Sequence, residues 1–198
     1  PSDRLHAVLS DGGARASIIP ETATLQMYVR SLYTETLMDL SQRVEDILKG
    51  AALMTGTTVD AQWDEHPMSL PVRNNATLAR RWGATQASRG RDVLPAGTLP
   101  DSQAASTDFG NVSHLVPGIH PLVKIAPEGT ALHTTDFAAA AISDQAFEGA
   151  FDAAVGLAQT IADILNDPQL LADAQEEFRL AGGAISVEKL LAGAAEQP

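Results

Sequence analysis

Apolar and polar positions alternate from the start of the chain. Leu5, Ala7 and Leu9 lie on one side, His6, Val8 and Ser10 on the other, and the alternation predicts a strand. Asp11-Gly12-Gly13 marks a turn or loop. A second alternation puts Ala23, Leu25, Met27 and Val29 on one face. Thr22, Thr24, Gln26, Tyr28 and Arg30 form the other face, which is polar throughout, so Arg30 belongs among hydrogen-bonding neighbours and not in a core. The period then changes. Leu40, Val44, Ile47, Leu48 and Ala51 predict a helix from about Glu35 to Thr55, with Thr34 as its cap and Gly56 as its stop. Val59, Ala61 and Trp63 predict a third strand over 57–63. Strand, strand, helix, strand is most of an α+β sandwich, a small sheet with helices on one face. The further strand and helix of such a unit are expected before Pro1.

The stretch from His66-Pro67 to Pro71 breaks this pattern and is the expected domain boundary, giving units 1–64 and 65–198. Residues 75–88 read as a helix with Leu78, Ala79 and Trp82 inward. Gly90 to Ala105 is a loop rich in Gly, Pro and Ser, and Asp108 to Leu115 a short helix ended by Pro117. His120 to Ile125, with the apolar run from Leu122, is expected to be a buried strand. Ser143 caps a long helix to Asn166, whose apolar stripe is Phe147, Phe151, Ala154, Ala158, Ile161 and Leu165. Asp167-Pro168 restarts the chain as a last helix to about Ala181, ended by Gly182-Gly183. The fold class expected from these elements is α/β.

Composition narrows the function classes. The 198 residues are 44% hydrophobic, enough for a core. A net charge of −12 argues against nucleic acid and anionic membranes as partners. The chain has no cysteine, which removes disulfide scaffolds, thiolate metal sites and cysteine nucleophiles and fits a cytoplasmic protein. No apolar run approaches the roughly 18 residues of a membrane span. The chain opens at Pro1 without methionine and runs almost at once into a strand, so a piece of a longer protein is expected.

Candidate chemistry gathers in Ala105 to Phe137, which holds His114, His120 and His133 with Asp108, Asn111 and Asp136. Polar groups packed around a buried-strand signal are how α/β enzymes present a site on loops at strand ends. His133 follows the strand and a loop containing Pro127 and Gly129, and precedes a helix-like run. An imidazole at such a junction either faces a pocket or caps a helix in solvent, and histidine is the commonest metal ligand.

Three stretches carry a resemblance. His6 to Arg30 joins a strand, a Gly-Gly loop, an Ile-Pro-acid turn and an Arg-ended strand. Ser106 to Pro121 reads STDFGNVSHLVPGIHP, and His133-Thr134 leads into Phe137-Ala138 and a long helix. In these the chain resembles the C-terminal part of the zinc amidohydrolases of the aminoacylase and carboxypeptidase kind, peptidase family M-20, and within them the p-aminobenzoyl-glutamate hydrolase-like branch. The resemblance implies a two-domain zinc hydrolase. Residues 1–64 would be the later part of an α+β sandwich lid that often dimerises, making a homodimer. Residues 65–198 would be the C-terminal portion of the α/β zinc-binding catalytic domain.

The implied reaction is hydrolysis of an amide beside a free carboxylate, on an N-acyl amino acid, a dipeptide or a p-aminobenzoyl-glutamate type of substrate. The family's site holds two zinc ions, or other divalent metals, through a His-x-Asp motif, a bridging Asp, a Glu-Glu pair and a late histidine. His133 matches that late histidine, and no catalytic residue of the family falls within this chain. Zinc would lower the pKa of a bound water, and a glutamate outside the chain would act as base.

Arg30 resembles the lid arginine that binds the substrate carboxylate, which suits a guanidinium fork; a surface ion pair is the competing reading. Ser17 stands where the family usually has a substrate-holding asparagine, and a serine loses the amide. His6 matches a histidine frequent in the branch, either a substrate contact or a strand residue. Thr107, Asp108 and Asn111 would line the pocket, with helix capping by Thr107 as the alternative. Ala105 replaces a common glycine, and His114 and His120 read as structural or exposed. One histidine cannot hold a catalytic zinc, which needs about three protein ligands, so the chain alone is expected to be inactive. The alternative is a non-catalytic dimerisation or binding module of the same fold.

Overall fold

The two alternating segments pair with each other. Strand β1 (Arg4–Asp11) runs antiparallel to β2 (Thr24–Arg30), with Leu5 opposite Val29, Ala7 opposite Met27 and Leu9 opposite Leu25. The register therefore joins the apolar face of one strand to the apolar face of the other. It slips by one residue between Leu9 and Asp11, a bulge at Ser10, whose hydroxyl donates to the Thr24 carbonyl at 3.1 Å. The structure, a computed structural model, describes residues 3–63, 68–95, 97–98, 107–186 and 188. Helix dominates these residues, beside one two-stranded sheet, which agrees with the α/β class.

The chain divides into two compact units. The first comprises residues 3–63, 68–72, 107–111 and 188. In it β2 runs against helix α1 (Thr34–Thr55), which buries Leu37 and Val44 and leaves Ile47 exposed. Gly56 ends α1 with the left-handed φ of 67° that the stop requires. The start differs from expectation. Thr34 is already helical, the cap position is Tyr33, and no side chain caps the end. The Ser31 hydroxyl instead accepts from the Tyr33 amide at 3.2 Å.

The expected strand over 57–63 does not form. Alternation specifies which side chains share a face, not which backbone they pair with. The Trp63 indole N–H donates to the Glu45 carboxylate at 2.7 Å, bringing the segment back to α1. That bond, helped by Lys49, holds Glu45 below the usual carboxylate range.

The second unit, residues 73–95, 97–98 and 112–186, is helical. Helices α2 (Ala76–Ser88), α5 (Asp144–Asn166) and α6 (Pro168–Leu180) pack mutually. The starts of α5 and α6 are those the sequence predicts. Ser143 accepts from the Ala146 amide, and Asp167 accepts from Gln169 and Leu170 with Pro168 at the first turn. The face of α5 is reversed. Its buried residues are Ala146, Gly149, Gly156 and Thr160, while Phe147, Phe151, Ile161 and Leu165 of the expected inward stripe are exposed. A Cβ on Gly156 would meet the Trp82 indole and the Gln86 amide of α2. Helix α2 thus fills a small-residue groove that large side chains would close. In α2 itself Leu78 and Trp82 are buried as expected, but Ala79 is exposed.

The expected strand from His120 to Ile125 is also absent, and Leu122 is 76% exposed. No neighbouring strand is present among the described residues of this unit, so its backbone takes other partners. The His120 amide donates to the Asn74 side chain and the Asn75 amide to the Gly118 carbonyl, each at 2.9 Å. Residues 64–67 of the expected boundary lie outside the described residues, as do 96 and 99–106 of the loop before Thr107 and most of the tail after Ser186.

Candidate functional site

The polar face of the hairpin is built by its register. Even-numbered residues of both strands point the same way: Arg4 opposite Arg30, His6 opposite Tyr28, Val8 opposite Gln26. The hairpin therefore brings the sequence candidates His6 and Arg30 onto one face. The Arg30 guanidinium lies over the Tyr28 ring, 5.3 Å from its centroid. Arg30 is half-buried, and its Nε is buried with no hydrogen-bond partner among the described residues. A buried guanidinium N–H without an acceptor is costly, and a carboxylate is a strong acceptor for it. Arg4 is a residue that a single strand does not place beside Arg30. The signal that finds it is the pairing register, which requires both strands at once.

Ser17 lies elsewhere. It sits exposed in the β1–β2 loop, where the Ile18 amide donates to the Arg15 carbonyl. From Thr24 to Arg30 the strand rises by roughly 20 Å, so the hairpin puts Ser17 and Arg30 at opposite ends.

Thr107, Asp108 and Asn111 surround the start of helix α3 (Phe109–Ser113). Thr107 Oγ1 accepts from the Phe109 amide at 3.3 Å and donates to Asp108 Oδ1 at 3.1 Å. Asn111 Oδ1 accepts from the Leu70 amide at 2.7 Å, and its Nδ2 donates to the Met68 carbonyl at 3.0 Å. The Asn111 amide thus ties down 68–70 with both ends. Gly110 fits beneath the Leu70 carbonyl, where a side chain would collide.

In the second unit His133 is exposed, and its backbone is left-handed at φ 62°. It is the one non-glycine residue with positive φ among the described residues. Thr134 then caps α4 (Thr135–Ala140), accepting from the Phe137 amide at 3.2 Å. Non-glycine residues in this conformation are strained by about 1–3 kcal/mol and concentrate at functional sites. His114 is buried, with its carbonyl accepting from the Ile185 amide, while His120 is exposed. Among the described residues no group of three or more His, Cys, Asp or Glu is placed to hold a metal.

A recess of about 330 Å³ lies against α5, lined by Arg89, Phe147, Glu148, Phe151 and Asp152. Its chemistry is internally satisfied. Arg91 and Arg89 both bond Asp152, and their N–H groups hold its carboxyl below the usual range. Arg89 also covers the Phe151 ring.

No family model matches the chain. Curated proteins do. The chain is 34% identical over 179 residues to a mouse protein named Xaa-Arg dipeptidase, covering 90% of this chain and 41% of that one. It is 24% identical to one of the subunits of the p-aminobenzoyl-glutamate hydrolase of Escherichia coli K12, covering 89% and 47%. It is 34% identical to an N-acetyldiaminopimelate deacetylase of Streptococcus thermophilus, covering 54% and 27%. The chain is homologous to several peptidases and amidohydrolases of the M-20 kind. It spans less than half the length of these relatives. The p-aminobenzoyl-glutamate branch is not singled out by the matches. No described helix is long and apolar enough to cross a membrane.

Proposed function

We propose that this chain is the substrate-binding part of an M-20-type amidohydrolase, which holds the carboxylate of an amide substrate and does not cleave it alone. The observation that carries this reading is Arg30. It is a half-buried guanidinium on a polar sheet face, with a buried Nε lacking a protein partner among the described residues. Its fork suits a carboxylate bidentately, and the Tyr28 ring fixes its direction. Homology to amidohydrolases and peptidases, whose names specify arginine dipeptides, p-aminobenzoyl-glutamate and N-acetyldiaminopimelate, supports an amide next to a carboxylate.

In this reading residues 1–64 belong to a lid that also forms a homodimer, and 65–198 to the catalytic domain. His133 is one metal ligand, and its strained backbone supports a role beyond packing. The described residues do not make up a zinc site. They supply one imidazole at this position and no donor cluster, whereas a catalytic zinc takes about three protein ligands. Any remaining ligands lie outside the described residues. His6 contacts substrate beside Arg30, and Asp108 and Thr107 border the pocket. Asn111 acts there through the backbone it holds, since both ends of its amide are bonded. The same lack of a donor cluster favours a second reading, in which the fold persists as a binding or dimerisation module without hydrolysis.

The test is turnover of N-acyl amino acids and dipeptides by the longest natural protein that carries this chain, with and without chelator. Chelator-sensitive release of the amino acid is expected. His133→Gly is expected to abolish it while raising stability by up to about 1 kcal/mol, because glycine relieves the positive φ. No turnover on any substrate, with no metal bound, would select the module reading. Turnover by the 198-residue chain alone would refute its expected inactivity.

A further inference from the structure

A helix that is apolar on two sides needs two neighbours. The inward side of α5, with Ala146, Gly149, Gly156 and Thr160, is turned to α2 and α6. On its outward side Phe147, Phe151, Ala154, Ala158, Ile161 and Leu165 recur every three or four residues, along roughly 27 Å of helix. All six are exposed, Phe147 at 75% and Leu165 at 78%. The acids of this part of the helix stay off the stripe. Asp152 is bonded to Arg89 and Arg91, and Asp163 to Arg81. From Phe151 to Leu165 the outward face therefore carries no charge. A contiguous apolar face of this length marks a contact surface. Its lack of charge is the mark of a permanent interface, which resembles a domain core cut in half.

A second observation says what lies there. Residues 122–125 run against the same helix, where a Cβ on Gly149 would be 3.0 Å from the Ile125 side chain and 3.4 Å from the Lys124 carbonyl. Val123 and Ile125 are half-buried, and Leu122 and Lys124 are exposed, the alternation of a strand with one face on a helix. No strand pairs with it among the described residues. One sheet would satisfy both features, with its face on the stripe and its edge on 122–125. The length of the relatives points to its source. The chain spans 41% of the mouse dipeptidase and 47% of the Escherichia coli hydrolase subunit, so more than half of each has no counterpart in these residues.

We infer that a β-sheet from the part of the longer protein outside these 198 residues packs on the outward face of α5 and takes 122–125 as one of its strands. This rests on the reading of the chain as part of a longer M-20-type protein, and it names the surface by which the helical unit joins the rest. Helix α5 is then the middle of a layered structure, with helices on its small-residue side and a sheet on its large-residue side.

The test is made on the longest natural protein that carries this chain. Hydrogen exchange is expected to find at least alternate amides of 122–125 slowed about a hundredfold or more relative to an unfolded chain, as a paired strand requires. Phe151→Lys and Leu165→Lys put a charge on the stripe, and each is expected to lower the urea midpoint by about 1 M or more. Gln175→Lys, at an exposed position of α6, is expected to leave it within about 0.2 M. Where the lysines prevent folding, Leu165→Ala is read in their place. It too is expected to lower the midpoint, whereas alanine on a solvent-facing helix position leaves it unchanged or raises it. The oligomeric state by light scattering is expected to be the same for Leu165→Lys, or its alanine substitute, as for the unaltered protein. Fast exchange at all four amides overturns the inference, and so do stripe substitutions tolerated as well as Gln175→Lys. A folded Leu165 variant that loses a subunit gives the face to a second copy and overturns it as well. Failure of the amidohydrolase reading shows separately, as absent turnover with every substrate, while exchange and midpoints still decide what covers α5.

Discussion

The helical unit and the hairpin treat their arginines in different ways. In the helical unit each described arginine is bonded to protein. Arg73 donates to the Ala181 and Gly183 carbonyls past the end of α6 and covers the Phe178 ring, and burial pushes its pKa down. Arg89 and Arg91 bond Asp152, and Arg81 pairs with Asp163. Arg80 donates to the Thr77 hydroxyl, and Arg179 bonds Glu176. On the hairpin, Arg30 lies over the Tyr28 ring, and its buried Nε has no partner among the described residues. Arg73 also has a buried Nε without a partner among the described residues, but its two terminal nitrogens bond carbonyls, whereas Arg30 lies on a sheet face over the Tyr28 ring. Burial and charge therefore do not mark the site by themselves. What marks it is whether the protein supplies the counter-group to Arg30.

If the helical unit is scaffold, changes there act on stability and not on binding. The largest effect is expected from Gly156→Val. The new side chain enters the space held by Trp82 and Gln86 at the α2–α5 crossing. Overpacking of this kind costs about 3 kcal/mol, read as a lower urea midpoint with unchanged slope. A tolerated valine would mean that the crossing is not close-packed. Asn75→Ala comes next. Buried Asn75 accepts from the Leu78 amide at 3.0 Å, capping α2, and donates to the Ala174 carbonyl of α6 at 2.9 Å. Losing the cap and leaving that carbonyl bare is expected to cost about 2 kcal/mol.

Glu177 gives a smaller effect with a pH signature. It takes bonds from the Ala76 and Thr77 amides and the Thr77 hydroxyl, so α6 completes the cap of α2. Burial alone would raise its pKa, but the Thr77 hydroxyl, the two amides and the nearby Arg80 outweigh it and the pKa is lowered. A carboxyl lowered in the folded state contributes stability that is fully present above its unfolded pKa and lost as pH falls through the folded one. Glu177→Gln is therefore expected to cost about 1 kcal/mol near neutrality, and the gap to the unaltered protein should close in acid. A gap that is constant with pH would show that the cap does not depend on the charge.

Helices and their ends are legible in the sequence, because caps are local. Ser143, Asp167-Pro168 and Gly56 act within a few residues of themselves, and the structure uses all three. Pairing and facing are not local. Residues 57–63 and 120–125 carry strand-like patterns, but neither has a partner strand among the described residues, and the Thr57 and His120 amides bond the Ala52 carbonyl and the Asn74 side chain instead. The α5 stripe is reversed because hydrophobicity ranks Phe147 and Leu165 above Gly149 and Gly156, whereas close helix crossing selects for size. The candidate site is legible in part. Arg30 and His6 follow from one strand each, but Arg4 enters only through the register, and the strained backbone of His133 has no sequence signal beyond the residue type.

The sharpest test of hairpin against helices expects almost no change in stability. Arg30 bonds no described carboxylate or carbonyl, and its contact is the Tyr28 ring. Arg30→Gln therefore removes one cation–π contact and one half of a like-charged cross-strand pair, effects of opposite sign. The folding free energy is expected to stay within about 0.5 kcal/mol of the unaltered protein. Carboxylate binding should fall by roughly tenfold or more, the loss of a charge-assisted fork. A scaffold arginine such as Arg91, changed in the same way, should show the reverse, because it leaves Asp152 with a broken pair and leaves the hairpin untouched. If Arg30→Gln unfolds the protein while Arg91→Gln does not, the assignment of hairpin to binding and helices to scaffold is inverted. The polar face of β1 and β2 would then be part of the core of a larger assembly and not a surface that meets a ligand.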